Sequence, residues 1–290
     1  MPDLGPAESR AGDVPQNCDL ELCFAALGKA KVGGLDGVTL EAYTASPTAN
    51  RLLFDLVKRC WLEEDMTEDL VVGEFVTLYK NKGSRDDMRK YRFMCMLNHA
   101  YKMTSLYLRF RIVKDTEGFL PETQAGFRKG RSTWDNIFML AALIDFVLET
   151  QQQVTICFID FVAAFDTVSH QWLDKALGKA VETGDEKPKY KNKCRAMFRA
   201  IYSKPSGCVL TTTSDGEQKH SEKFPIRRRV VQGDIFSPLC LIIALQLILL
   251  KHGDCEEGSG DGLFGLWIKS LEYADDAALT DLTVKAATLP

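Results

Sequence analysis

The chain has 290 residues, 46% hydrophobic and 26% charged, which is ordinary for a globular protein and enough to bury a sizeable core. A net charge of -4 and a pI near 5.7 argue against a simple nucleic-acid-binding module, which usually carries a high pI. The nine cysteines are odd in number with no Cys-x-x-Cys pair, and the four histidines do not cluster with them; this indicates neither a zinc site nor a disulfide framework and points to a reducing intracellular compartment.

Residues 1–17, rich in Pro, Gly, Ala and acids, lack the apolar stretch of a secretory signal and read as disordered. Leu20 to Lys31 has helical spacing through Leu20, Phe24 and Leu27 and stops at Gly33-Gly34, before a turn at Leu35-Asp36-Gly37-Val38. Leu52 to Glu64 predicts a helix with Leu53, Leu56, Val57, Cys60 and Trp61 on one face, and Phe75 to Tyr79 predicts a strand. From Lys80 to Lys114 the composition turns basic. Lys80, Lys82, Arg85, Arg89, Lys90, Arg92, Lys102, Arg109, Arg111 and Lys114 are opposed by Asp86 and Asp87, with Tyr79, Tyr91, Tyr101 and Tyr107 interleaved. Such a block suits a phosphate backbone with stacked bases. It equally suits a solvated helix face with snorkelling side chains.

Tyr101 to Val113 reads as a helix, and Pro121 to Thr133 as a polar connection whose glycines, flanked by bases, allow close approach to a phosphate. Asn136 to Glu149 is an amphipathic helix, and Val154 to Phe161 a buried strand reaching Asp160. Desolvating an unpaired carboxylate is costly, so Asp160 reads as a functional position or a turn acid. Ser169 is placed to cap a helix over His170 to Val181. Gly184 to Lys193 reads as a charged linker, Cys194 to Tyr202 as a helix, Cys208 to Thr213 as a strand, and Pro225 to Arg229 as a basic extended segment. Val230-Val231-Gln232-Gly233-Asp234 leads through Ser237-Pro238 into Leu239 to Leu250, an apolar helix too short to span a bilayer. Residues 253–262 read as a loop tip, and Leu263 to Leu279 as a hairpin region around Asp275-Asp276.

Alone, Asp275-Asp276 reads as an ordinary turn, because Asp is a favoured turn residue. Two close carboxylates also repel each other unless a cation sits between them. With Asp160 they form a set suited to phosphoryl transfer, in which two Mg²⁺ ions about 4 Å apart clamp the attacking and leaving oxygens. Glycoside hydrolysis needs carboxylates separated by roughly 5 Å or more across a sugar, which adjacent residues in one turn suit less well.

Gly34-Leu35-Asp36-Gly37-Val38, Leu78-Tyr79-Lys80-Asn81-Lys82-Gly83 with Lys90-Tyr91-Arg92, Gln124-Ala125-Gly126-Phe127-Arg128, Phe158-Ile159-Asp160-Phe161 with Ala164-Phe165-Asp166, Gln232-Gly233-Asp234 with Ser237-Pro238, and Tyr273-Ala274-Asp275-Asp276 follow one another in this order. In these segments the chain resembles the reverse transcriptase domain of non-LTR (LINE-type) retrotransposons, from about Gly34 to the end. The resemblance implies an α+β right-hand polymerase fold of fingers and palm over 34–290, with an antiparallel palm sheet and the thumb absent, and an N-terminal extension, partly disordered, over 1–33. It implies RNA-directed DNA polymerase activity, transferring nucleotides from dNTPs to a primer 3′-hydroxyl, with an RNA template, a DNA primer and two Mg²⁺ ions, Mn²⁺ being a substitute. Asp160, Asp275 and Asp276 are the implied metal ligands, with the backbone carbonyl of Phe161. Phe165 is the implied steric gate against a 2′-hydroxyl. Lys80, Lys82 and Arg92 are the implied triphosphate contacts, Gln232 and Gly233 the floor under the incoming nucleotide, and Arg128 a template contact. The family carries Gly where this chain has Arg229, so a positive-φ backbone there would be strained. Val162-Ala163 also departs from the pair found in many relatives. The rival expectations are a catalytically inactive nucleic-acid-binding remnant and a pseudogene product with an incomplete core. No membrane partner is expected, the sequence leaves open whether a companion chain supplies a thumb, and the expected location is cytoplasmic or nuclear.

Overall fold

The computed structural model describes residues 14–28, 32–151, 153–184, 188–212, 215–251 and 270–281. The expected loop at 253–262 and residues 1–13 and 29–31 of the expected N-terminal extension lie outside them. Three helices come first: α1 (Asn17–Ala26), α2 (Leu40–Ala45) and α3 (Pro47–Glu63). Ser46 caps α3, its Oγ accepting from the Ala49 amide, and Pro47 stands at the first helical position, where a missing N–H costs nothing. The helix therefore starts five residues before the apolar periodicity that predicts it from Leu52.

Strands β1 (Val72–Tyr79) and β2 (Tyr91–Met96) form an antiparallel hairpin, and β1 also pairs in parallel with β4 (Ser206–Thr212). The strands β5 (Gln218–His220) and β6 (Phe224–Pro225) both pair antiparallel with β4. The second sheet is wholly antiparallel, ordered β3 (Thr155–Asp160), β8 (Asp276–Asp281), β7 (Ser270–Tyr273). Among the described residues the architecture is thus mixed α and β with mostly antiparallel pairing, as expected.

Helix α4 (His99–Glu117) runs through the centre and packs against α1, α3, α7 (His170–Glu182), α8 (Pro188–Ser203) and α9 (Ser237–Lys251). It is buried on most of its circumference, with Tyr101, Met103, Leu106, Tyr107, Leu108 and Ile112 all in the core. This divides the basic block. Tyr101 and Tyr107 are core residues, and Arg111 is buried with its guanidinium 5.9 Å from the Tyr107 ring centre and 4.7 Å from that of Tyr190. The other part, Lys80, Lys82, Arg85, Arg89 and Arg92, is exposed on the β1–β2 hairpin. That part gathers exposed basic residues on one hairpin, whereas of the α4 members Arg111 is buried, Lys102 and Arg109 are half-buried and Lys114 is exposed.

Two readings of the sequence need correction. The charged stretch expected as a linker is helical from Pro188, because Tyr190 and Cys194 reach the core from one face of the helix. Strand β3 is not a buried strand: it lies at a sheet edge, and Phe158 is 72% exposed. The remaining elements are α5 (Thr133–Thr150), which packs against β7, and the short α6 (Ala164–Thr167). Ser169 caps α7 as expected, its Oγ accepting from the Trp172 amide at 3.2 Å.

Trp61 in α3 meets Tyr107 in α4 edge to face, with ring centres 4.9 Å apart, and both are fully buried. Trp61→Ala is expected to cost about 3–5 kcal/mol of unfolding free energy in a urea titration, through lost burial and the cavity left behind. A loss below roughly 1 kcal/mol would show that the α3–α4 contact does not hold the helical layer together.

Candidate active site

Asp160 ends β3 and pairs in register with Asp276, the first residue of β8. Tyr273 ends β7 opposite Asp276, and Ala274 and Asp275 form the turn between them. Side chains alternate along a strand, so Phe158 and Asp160 share one face of the sheet with Ala278 and Asp276 opposite them. On that face lies a cleft of about 410 Å³, lined by Phe158, Asp160, Tyr273 and Asp276 from the sheet and by Asn136 and Ile137 from α5. The other face carries Ile159 and Ala277 and packs towards Leu245 and Ile248 of α9. The sheet therefore presents two of the three expected carboxylates at its open face and the third at the adjoining turn.

Asp275 is partly buried. Its carboxyl is pushed above the ordinary value of 3.8, first by desolvation and further by the negative charges of Asp276 and Asp160; a backbone hydrogen bond opposes the shift. Asp275 thus senses the charge of the other two acids. Among the described residues no group of three or more His, Cys, Asp or Glu side chains is gathered into a set that could hold a metal ion by itself. Asp160 and Asp276 on neighbouring strands, with Asp275 in the turn, are instead an open array of hard oxygens. That chemistry fits Mg²⁺, which binds through one or two carboxylates and keeps water or substrate phosphate for its other positions, and it does not fit zinc, which favours nitrogen and sulfur.

The turn is held from outside. Gln124 Oε1 accepts from the amides of Gly126, at 2.8 Å, and Ala274, at 3.1 Å, while its Nε2 donates to Glu272 Oε2 and to Ala274 O. The backbone adds Ala125 N to Glu272 O at 2.8 Å and Glu272 N to Thr123 O at 3.1 Å, and Asn136 Nδ2 donates to Glu272 O at 2.8 Å. A Cβ at Gly126 would run into the Ala274 amide, so only glycine fits there. Glu272 is buried and its carboxyl is raised by desolvation, which its hydrogen bonds from Ser270 and Gln124 oppose. The Gln124-Ala125-Gly126 segment is legible as a motif, but its work as a brace for Ala274-Asp275 is not, because that work depends on a contact across 150 residues of sequence.

Phe165 stands in α6, partly buried, with its ring edge to face with Phe127 at 6.5 Å. Phe161 is also partly buried, beside Asp275 in the small cavity against α9. Lys80, Lys82 and Arg92 are exposed, and Lys80 Nζ donates to Arg89 O at 3.1 Å. Gln232 O accepts from Cys95 N at 2.7 Å, and Gly233, at φ +123°, lies so close to the Cys95 carbonyl that a Cβ would collide with it. The residue after it, Asp234, is buried and accepts from Ser105 Oγ at 2.5 Å and Ser237 Oγ at 3.3 Å, joining this loop to α4 and α9. No role for Asp234 is visible in the sequence. Arg128 is placed otherwise than a template contact requires: it is buried, paired with Glu117 at 2.5 Å and hydrogen-bonded to the carbonyls of Pro121 and Gln124. Its guanidinium supports the segment that carries Gln124.

A model of the reverse transcriptase (RNA-dependent DNA polymerase) family matches residues 79–283, a span that holds every candidate residue above. The chain is also 26% identical over 148 residues to a protein of Xenopus laevis named Transposon TX1 uncharacterized 149 kDa protein; the alignment covers 49% of this chain and 11% of that protein. The chain therefore spans about a tenth of that relative's length. Among the described residues no helix is long and apolar enough to cross a membrane.

The brace and the charge cluster each give an expected outcome. Gln124→Ala removes both side-chain hydrogen bonds to Ala274, one accepted from its amide and one donated to its carbonyl, so the Ala274 amide should exchange with solvent at least about tenfold faster, read by hydrogen-exchange mass spectrometry or NMR. Unchanged exchange would mean that the backbone pairing alone holds the turn. Asp275→Asn should raise the thermal midpoint at pH 7 without added metal, because it removes a carboxylate that the fold disfavours. The folded protein holds that proton more tightly than the unfolded chain, so the wild-type penalty grows as pH rises from the unfolded value of 3.8 and is absent below it. The advantage of the Asn variant should accordingly vanish in a melting series taken below about pH 4.

Proposed function

The chain belongs to the reverse transcriptase (RNA-dependent DNA polymerase) family, and from that membership we propose that it carries the nucleotidyl-transfer site of a LINE-type retroelement, copying RNA into DNA with Asp160, Asp275 and Asp276 as its catalytic carboxylates. The observation that carries this reading is the register of β3 and β8, which sets Asp160 directly across from Asp276 with Asp275 one residue away. Hard oxygen donors from two adjacent strands suit Mg²⁺, held by the three aspartates and the Phe161 carbonyl; when bound, it supplies a lowered pKa for the primer hydroxyl and neutralises the triphosphate.

The protein's own share is to bind and orient. We assign the fingers to the sheet of β1, β2, β4 and β5, whose exposed Lys80, Lys82 and Arg92 offer cations to the triphosphate. The palm is the sheet of β3, β8 and β7 with α9 behind it. Gln232 and Gly233 form the floor of the nucleotide site: the loop lies against β2 at Cys95, where fingers and palm meet. Phe165 limits the space beside the sugar, so a 2′-hydroxyl is excluded by bulk. The ring has support for this from Phe127 on one side and the core on the other. Most of the acceleration then comes from positioning and from charge neutralisation, as in other phosphoryl transfers.

Primer extension on an RNA template, with dNTPs and Mg²⁺, tests the reading. Asp160→Asn is expected to lower the extension rate by roughly 10³-fold or more, the scale on which phosphoryl transfer depends on stabilising transition-state charge. Chelation with EDTA should abolish extension, and wild-type signal no greater than that of the Asn variant would sink the proposal.

A further inference from the structure

Arg229 holds a backbone conformation that favours glycine, at φ +94°. A non-glycine residue stays there only where its surroundings over-determine it. On the backbone side, the Arg229 amide donates to Val168 O at 2.8 Å, the next amide, Val230 N, donates to Phe165 O at 2.8 Å, and the Arg229 carbonyl faces His170 Nε2 at 3.1 Å. On the side-chain side, Nη2 lies 2.8 Å from Asp166 Oδ1 and 3.4 Å from Phe93 O, and the guanidinium carbon stands 4.7 Å from the centre of the Phe75 ring. The side chain is 16% exposed, and its buried Nε has no hydrogen-bond acceptor. Phe75 and Phe93 belong to β1 and β2, whereas Asp166 is the residue after Phe165 in α6. One planar cation therefore joins the β1–β2 sheet to the turn that carries Phe165, a reach and geometry that lysine does not reproduce.

We propose that Arg229 is a positioning residue, which fixes the Phe165-Asp166 turn against the β1–β2 sheet and so sets how tightly the site holds its incoming nucleotide and how strictly it rejects a ribose. The proposal rests on the polymerase reading above. Arg229 touches no reacting atom; it acts through Asp166 and Phe165.

Steady-state primer extension with a dNTP and its matching rNTP tests it on Arg229→Gly, Arg229→Lys, Asp166→Asn and the Arg229→Gly/Asp166→Asn double variant. Glycine accepts this φ without strain, so Arg229→Gly relieves the backbone while deleting the bridge. A purely structural role then leaves kinetics at the wild-type level. The proposal expects the dNTP KM to rise about tenfold with kcat within about twofold, and selectivity for dNTP over rNTP to fall by about fivefold or more. Arg229→Lys should recover little of either, and the double variant should be no worse than Arg229→Gly, because both changes break one bridge. Wild-type KM and selectivity in Arg229→Gly overturn the proposal, whatever happens to the melting temperature. Additive effects in the double variant overturn it too. If the wild-type chain itself extends no primer, the polymerase reading fails and the nucleotide part of the proposal fails with it. The positioning part is then read from hydrogen exchange at the Phe165 and Asp166 amides: faster exchange in Arg229→Gly supports it, and unchanged exchange overturns it.

Discussion

The β1–β2 sheet and the α6 turn that carries Phe165 meet at one stretch of backbone, Arg229 to Gly233. Its amides reach Val168 and Phe165 on one side, and its Gln232 carbonyl takes the Cys95 amide of β2 on the other. A chain can pass this close to two neighbours only where side chains are absent or turned away. Gly233 meets the first condition, since any Cβ would strike the Cys95 carbonyl. Arg229 meets the second by taking a positive φ, which turns its side chain towards Asp166 and Phe75. Asp234 then anchors the far end, buried between Ser105 of α4 and Ser237 at the start of α9. The hydrophobic core behind the loop fixes α4 and α9, the loop contacts α6 and β2, and the residues expected to bind nucleotide lie on α6 (Phe165), on β2 and its connection to β1 (Arg92, Lys80, Lys82) and on the loop itself (Gln232, Gly233).

The carboxylates depend on a different device. A two-residue turn between short strands has little of its own to resist fraying, and this one also carries a disfavoured charge. Its rigidity is supplied by Gln124, an uncharged side chain with two donors and two acceptor sites, all directed at Gly126, Glu272 and Ala274. An uncharged brace is well chosen beside three acids. A basic residue at this point would pair with Asp275 and compete with any cation for it, whereas an amide holds the backbone and leaves the carboxylate oxygens available. Arg128, which does carry charge, is turned away and spent on Glu117 and two carbonyls.

What the sequence reveals of this protein follows the range of the physics involved. Local signals transferred well: the Ser169 cap, the apolar run of α9, and the hairpin around Asp275, each set by neighbours a few residues away. The carboxylates Asp160 and Asp276 were recognisable as partners by motif, and the β3–β8 register does bring them opposite each other. Burial was harder to read. A run of β-branched and aromatic residues in β3 resembles a core strand, yet nothing among the described residues covers Phe158, because apolar composition does not say which strand becomes an edge. The basic block misled for the converse reason: Arg111 carries charge but is buried between tyrosine rings, and composition alone cannot separate it from the exposed Lys80 and Arg92. Gln124 and Asp234 act through partners 150 and 129 residues away, and spacing along the chain carries no trace of such pairs.

Backbone strain gives an independent view of the same site. Among the described residues, seven non-glycine positions have positive φ. Glu64 and Gln151 are left-handed ends of α3 and α5, and Asn81 sits in the β1–β2 connection, all places where such a conformation has a local structural reason. The other four, Phe127, Ala163, Ala274 and Arg229, each adjoin a candidate residue: Phe127 supports the Phe165 ring, Ala163 lies between Asp160 and Phe165, Ala274 precedes Asp275, and Arg229 pairs with Asp166. Each costs of order 1 kcal/mol or more, and the disfavoured Asp275 charge adds to them. A fold selected for stability alone has little reason to gather these costs in one place. Their concentration around three carboxylates and one aromatic ring is the pattern that strained backbone gathered at a functional site would give.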